Sequence, residues 1–259
     1  MAQTRKYGWR PSLPDGGRTP VLSLEEFPPL APVFDLAPTG FLPPIWDQGQ
    51  QGSCTGHGCG RALAFVRAKQ NEPPMDPSRE FLYYNARRIE GSTDSDAGAT
   101  IADVIAGAQR WGDVPYAQWP TDDAHLLVEP GPEVYAAASL NQAVKVTRVL
   151  GHNRASFEYH FKHCMSVFGV PIVFGFTVYD SFESDAVAKT GVVPMPRPDE
   201  SVLGGHCVAA TAYDDAKRLV KCANSWSAAW GDAGSFYLPY DFIFDPNYAS
   251  DFRAILAME

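Results

Sequence analysis

Three short segments hold residues that together could cleave an acyl bond. Cys54 ends the run Trp46-Asp47-Gln48-Gly49-Gln50-Gln51-Gly52-Ser53-Cys54, and helical spacing begins immediately after it. Far along the chain stand Gly204-Gly205-His206-Cys207-Val208 and Cys222-Ala223-Asn224-Ser225-Trp226. A thiol at the mouth of a helix meets unpaired N–H groups and the positive end of the helix dipole, and both favour the thiolate. A histidine can draw off the thiol proton, and an amide can orient its ring. Nucleophile, base and orienting amide are the parts of a hydrolase that works through a covalent thioester.

Each residue also has a plainer reading. A lone buried cysteine is more often a small hydrophobe than a catalyst, and Cys59, Cys164, Cys207 and Cys222 are expected to be packing residues. Cys54-x-x-His57-x-Cys59 does not have the spacing of the usual zinc pairs, and Gly56, Gly58 and Gly60 point to close packing instead. Neither a metal nor an organic cofactor is expected. His160 and His163 flank an apolar helix face and are expected to be solvated, while His125 and His152 stand in loop-like contexts.

The elements that must position these residues follow from periodicity. Ala62, Leu63, Phe65, Val66 and Ala68 predict a helix from Cys54 to about Asn71, with Arg61, Arg67 and Lys69 on its other side. Ser78 predicts an N-cap for a second helix carrying Phe81, Leu82, Tyr84 and Asn85, and Thr100–Trp111 reads as a third. Glu90 to Gly98 reads as a polar loop. Beyond it the period changes. Val144, Val146 and Leu150 read as strand-like, a helix follows from about Ser156 to Phe168, and strands are predicted at 171–179, 206–213, 218–224 and 235–239. A helical half followed by an antiparallel sheet half is an α+β fold, with the natural cleft at the junction.

The 259 residues suit one large domain or two closely packed halves, and 45% hydrophobic content supports a substantial core. The net charge of −9, with no basic cluster of the kind that tracks phosphates, argues against nucleic acid and anionic membranes as partners. No apolar run reaches the length of a membrane span, and no apolar stretch follows the charged start at Met1–Arg10, so a cytoplasmic location is expected. Five cysteines is an odd, low count that fits free thiols better than a disulfide framework.

The ordered blocks resemble those of the papain-like cysteine peptidases, over roughly residues 45–240. Gln48 stands six positions before Cys54, as the family's oxyanion glutamine does, and Gly-Ser-Cys follows it. His206 after two glycines matches the family's base, and Asn224-Ser225-Trp226 with Trp230-Gly231 and Gly234 matches the asparagine block. The resemblance implies a two-lobed fold with a helical lobe at about 45–140, a β-barrel-like lobe at about 141–259, and a catalytic set of Cys54, His206, Asn224 and Gln48. It further implies that Gly98 and Ala99 present backbone to an extended peptide substrate, that Ile101, Gly175 and Cys207 line an apolar pocket for the residue second from the cleaved bond, and that Trp226 covers the His206–Asn224 bond. Two departures mark a divergent, microbial-type member: Gln51 stands where many relatives have a disulfide cysteine, and Thr55 replaces the usual aromatic.

Peptide hydrolysis is the function so implied. The rivals are an inactive or regulated peptide-binding module of the same fold and a related transferase or deamidase. Residues 1–44 hold nine prolines, which preclude the long helical pro-segment of many such enzymes. With Trp9, Phe27, Phe34 and Phe41 to bury, this arm is expected to dock on the lobes as a structural strap, with cleft blockage the rival.

Overall fold

The computed structural model describes residues 5–14, 17, 19–24 and 26–258. Met1–Thr4 and the side chain of Val144, both used in the sequence reading, lie outside the described residues. In chain order the elements are β1 (Val33–Asp35), α1 (Cys54–Lys69), α2 (Arg79–Glu90), α3 (Ile101–Arg110), α4 (Pro132–Ala138), β2 (Ala143–Arg148), α5 (Arg154–Ser166), β3 (Ile172–Tyr179), α6 (Asp185–Thr190), β4 (Val202–Asp214), β5 (Leu219–Ala223), β6 (Ser235–Pro239), α7 (Tyr240–Ile243) and β7 (Ala249–Met258).

Local chemistry sets the helix starts. Ser78 accepts the Phe81 N–H at 3.0 Å to cap α2, and Thr100 accepts the Asp103 N–H at 3.0 Å to cap α3. Asn153 and Ser156 form a reciprocal capping box, which starts α5 two residues before the expected position. The strands make one antiparallel sheet in the order β2-β7-β3-β4-β5-β6, with β1 paired to the far end of β4. It is an open sheet among the described residues, since no ladder joins β6 to β2. α1 packs against β4 and β7, so the helix carrying Cys54 lies directly on the strand carrying His206.

That placement buries α1 along almost its whole length, including the side expected to carry charge. Arg61 is buried because its guanidinium donates to the carbonyls of Pro43 and Pro44, and Arg67 because it donates to Asn141 Oδ1 at 2.6 Å. One core spans both halves, from Leu63 and Ile105 to Phe174 and Phe236, and a smaller cluster of Phe81, Val114, Trp119, Val134 and Ala138 sits under α4. The arm is strapped to this body along much of its length. Val21 bridges to Arg148, β1 pairs with β4, and Phe27 packs on Tyr159 with ring centroids 4.8 Å apart. Phe27 also stacks on His160, and His163 packs edge-on to Phe168. Both histidines are therefore buried rather than solvated, which corrects the sequence expectation.

Candidate active site

Cys54 is the first residue of α1, and Ser53 before it makes no side-chain cap. The first intrahelical bond is His57 N–H to the Ser53 carbonyl, so the N–H groups just ahead of it are left for other partners. Complete burial pushes the Cys54 thiol up to about 11, opposed by the nearby backbone of Cys207, of Gly8 in the arm, of Thr55 and of Trp9. Gly58, one turn along, lets β4 approach: a side chain there would press on the Cys207 sulfur.

His206 lies on β4, next to Cys207, whose backbone is among the groups near the Cys54 sulfur. Its Nε2 is 2.8 Å from Asn224 Oδ1, and the same oxygen accepts the Ser225 N–H at 2.8 Å. An oxygen already accepting one N–H orients the amide, so His206 Nε2 carries the proton and donates. In the neutral ring that leaves Nδ1 as an acceptor, and it is buried without a hydrogen-bond partner. Burial lowers the imidazole to about 4, the Asn224 bond opposes this, and the charge of Arg5 adds to it. Trp226 lies against His206 at 5.1 Å between ring centroids and screens the bond to Asn224 from water.

Gln48 is buried between these groups. Its backbone N–H donates to the Ser225 carbonyl, and its Oε1 accepts the Ser225 hydroxyl at 2.6 Å. That fixes the amide so that Nε2 faces the Gln51 carbonyl at 2.8 Å and, from the arm, the Lys6 carbonyl at 3.5 Å. Gln48 thus presents an N–H on the side where the arm lies.

The arm fills the cleft. Tyr7 packs edge-on against His206 and Trp226 and hydrogen-bonds to Glu183. Gly8 follows beside Cys54, so close to the chain at Gly52 that a side chain would overlap the Gly52 carbonyl. Its carbonyl accepts the Ala99 N–H at 2.7 Å, and the Ala99 carbonyl accepts the Arg10 N–H at 3.1 Å, a parallel strand bridge. Between these bonds the Trp9 ring covers Gly175 so closely that no side chain fits there, and the Trp9 N–H donates to the Gly205 carbonyl at 3.0 Å. Cations hold both ends: Lys6 on Asp96 at 2.6 Å, Arg5 on Asp47 at 3.4 Å, and Arg10 on Glu90. The arm is fastened to the body beyond residue 20, and residues 7–10 lie as a plug from His206 to Ala99, the placement that the rival expectation of cleft blockage described.

The chain's likeness to known proteins agrees with this geometry. No family model matches the chain. An uncharacterized peptidase C1-like protein of Acanthamoeba polyphaga mimivirus is 38% identical over 229 residues, which are 86% of this chain and 74% of that protein. The chain belongs to the papain-like cysteine peptidases. The peptidase also superposes on the crystal structure of xylellain, a cysteine protease from Xylella fastidiosa, with a TM-score of 0.89 and 31% identity over 100% of both chains. It shares the fold of procathepsin B from Trypanosoma congolense, with a TM-score of 0.73 and 17% identity over 98% of this chain and 87% of that one.

His206, Asn224 and Gln48 are joined through Ser225, Cys54 is buried at the head of α1, which packs on the strand carrying His206, and Gly98, Ala99, Gly175 and Trp226 all touch the arm segment. Ile101 and Cys207 are buried in the same core as Trp9. The five cysteines are free and buried, and among the described residues no group of three or more metal-binding side chains is placed to hold an ion. Two parts of the site were not singled out in the sequence reading: residues 7–10 as the segment of the arm that docks there, and Asp96, which binds it. The signal was present as Arg5-Lys6-Tyr7-Gly8-Trp9-Arg10, a cationic stretch around a Gly-Trp pair in an acidic chain.

Proposed function

We propose that the chain hydrolyses peptide bonds through Cys54 and that its own arm holds it closed. The observation that carries this reading is the Asn224 oxygen fixing the His206 proton on Nε2, which leaves Nδ1 free to take the proton of a thiol. With the cleft open, Cys54 would attack a peptide carbonyl carbon as His206 accepts its proton. The negative charge on oxygen would be met by Gln48 Nε2 and the Cys54 N–H. The imidazolium would then protonate the departing amine, leaving a thioester on Cys54. Water, losing a proton to His206, would release the acid and restore the thiol.

Direction supports the inhibitory role of the arm. The departing amine must lie on the His206 and Trp226 side, so a substrate runs from Ala99 towards Trp226. The arm runs the other way, with Tyr7 at Trp226 and Arg10 at Ala99. It fills the cleft without presenting a peptide bond in the cleavable sense. Burial beneath it keeps both the thiol and the imidazole neutral.

The protein carrying Gly8→Val, which cannot seat the plug, is the test. It is expected to react with a thiol-directed epoxide peptide at Cys54 and to cleave peptides, with both lost in Cys54→Ala. Mass analysis of products separates hydrolysis from transfer. Labelling of another cysteine, or labelling with neither product, would sink the proposal.

A further inference from the structure

The carboxylate beside the nucleophile points to a substrate class. We propose that Asp96 receives a lysine or arginine side chain on the acyl side of the cleaved bond, making the enzyme selective for cationic polypeptides. This rests on the hydrolytic reading of Cys54.

Asp96 is placed by bonds that do not depend on the arm. It accepts the Gly52 N–H, two residues before Cys54, at 2.9 Å, and the Tyr83 hydroxyl at 2.5 Å. It lies two residues before Gly98, whose N–H is 2.9 Å from the same hydroxyl. Gly52 and Gly98 both border Gly8 of the plug, and Gly98 precedes Ala99 at the end of the cleft assigned above to the acyl side, so Asp96 stands behind the wall there. Burial alone would raise this carboxyl, but the bonds from Lys6, Tyr83 and Gly52 hold it below its ordinary range, so it is charged at neutral pH.

The plug shows what the carboxylate accepts. Lys6 places its ammonium 2.6 Å from Oδ2, with the Asp96 side chain 10% exposed and that of Lys6 47% exposed. When the plug leaves, Asp96 keeps Gly52 and Tyr83 but loses its cation, and a largely enclosed carboxylate short of one partner favours a ligand that restores it. A neutral side chain there restores nothing. Asp47, Glu90 and Glu183, the other carboxylates holding plug residues, would also be vacated, giving the opened cleft an acidic rim.

Matched peptides with lysine or norleucine at the residue whose carbonyl is attacked test this in the full chain carrying Gly8→Val. The lysine peptide is expected to have kcat/KM about tenfold or more above the norleucine peptide. Asp96→Asn, which keeps an oxygen for Gly52, is expected to remove most of that ratio by slowing the lysine peptide alone. Equal rates with Asp96 intact, or equal loss for both peptides in Asp96→Asn, overturns the assignment. If neither peptide is cut, the hydrolytic reading fails separately. Protection of Cys54 from alkylation by the same peptides then decides: stronger protection by lysine, lost in Asp96→Asn, supports the site, and equal protection overturns it.

Discussion

At the scale of single residues, the site depends on which atom carries a proton. Because Asn224 Oδ1 is an acceptor towards both Ser225 and His206, removing it frees the imidazole to take the wrong tautomer. In the Gly8→Val chain, Asn224→Ala is expected to slow hydrolysis less than His206→Ala, since water can still hold the ring while nothing replaces the base. Gln48→Ala removes a donor used mainly in the transition state, so kcat should fall roughly 10²–10³-fold with KM nearly unchanged. Steady-state kinetics checks both, and a rise in KM alone would make Gln48 a binding residue. These four residues were legible in the sequence because each sits in a short, ordered signature. The neutral state of Cys54 and His206 was not, because it comes from burial by a segment distant in sequence. The buried state of His160 was hidden for the same reason, since Phe27 of the arm covers it.

At the scale of elements, the arm is two devices joined. Its later part is fastened by β1 and by the Arg61 bonds to Pro43 and Pro44. Its first part is held by one large side chain, a strand bridge and ion pairs. Trp9→Ala removes a fully seated ring, for which the expected loss of docking is roughly 3–5 kcal/mol. Cys54 alkylation should accelerate strongly while the melting temperature changes far less than if the strap were lost. The pairs add a condition dependence. Lys6 helps hold Asp96 below its ordinary range, so this part of docking is complete above the pH where a free carboxylate titrates and is lost as pH falls through the lowered value. Opening should therefore increase as acid protonates Asp96, and molar salt should promote it by screening the exposed pairs. Reaction of Cys54 with dithiodipyridine, which remains active in acid, reads both effects; a rate independent of acid and salt would leave Trp9 as the dominant anchor. Prolines and apolar residues made the docked arm legible, but its path was not, because the Trp9 seat is built from Gly175 and Gly205 on β3 and β4.

At the scale of the whole molecule, the α+β plan was legible because helical spacing gives way to strand-like runs at one point in the chain. β7 was missed because Phe252–Ile255 is buried without alternation, a pattern that does not distinguish a central strand from a core helix segment. The helical half also hides an Arg–Glu contact within its core. Arg87 and Glu80 lie 3.4 Å apart with both side chains fully buried, and Arg87 also donates to the carbonyls of Ser95 and Leu126. Burial raises the Glu80 carboxyl to about 8 and Arg87 opposes that rise. Arg87→Leu would remove that cation and the donor to two carbonyls, with an expected loss of roughly 3–5 kcal/mol in urea unfolding. Adding Glu80→Gln should recover part of it, and no recovery would place the cost in the lost carbonyl bonds instead.

The position of β7 has a consequence for how the protein is made. It is the last element in chain order, yet it lies between β2 and β3 and packs beneath α1. It is therefore made after Cys54, His206 and Asn224, and until then the sheet behind them lacks the strand that joins β2 to β3. The arm precedes all of them in chain order, so residues 7–10 are on hand to settle on the half-formed site during that interval. On the blockage proposed above, the order of synthesis puts the guard in reach of the nucleophile before the nucleophile is fully framed.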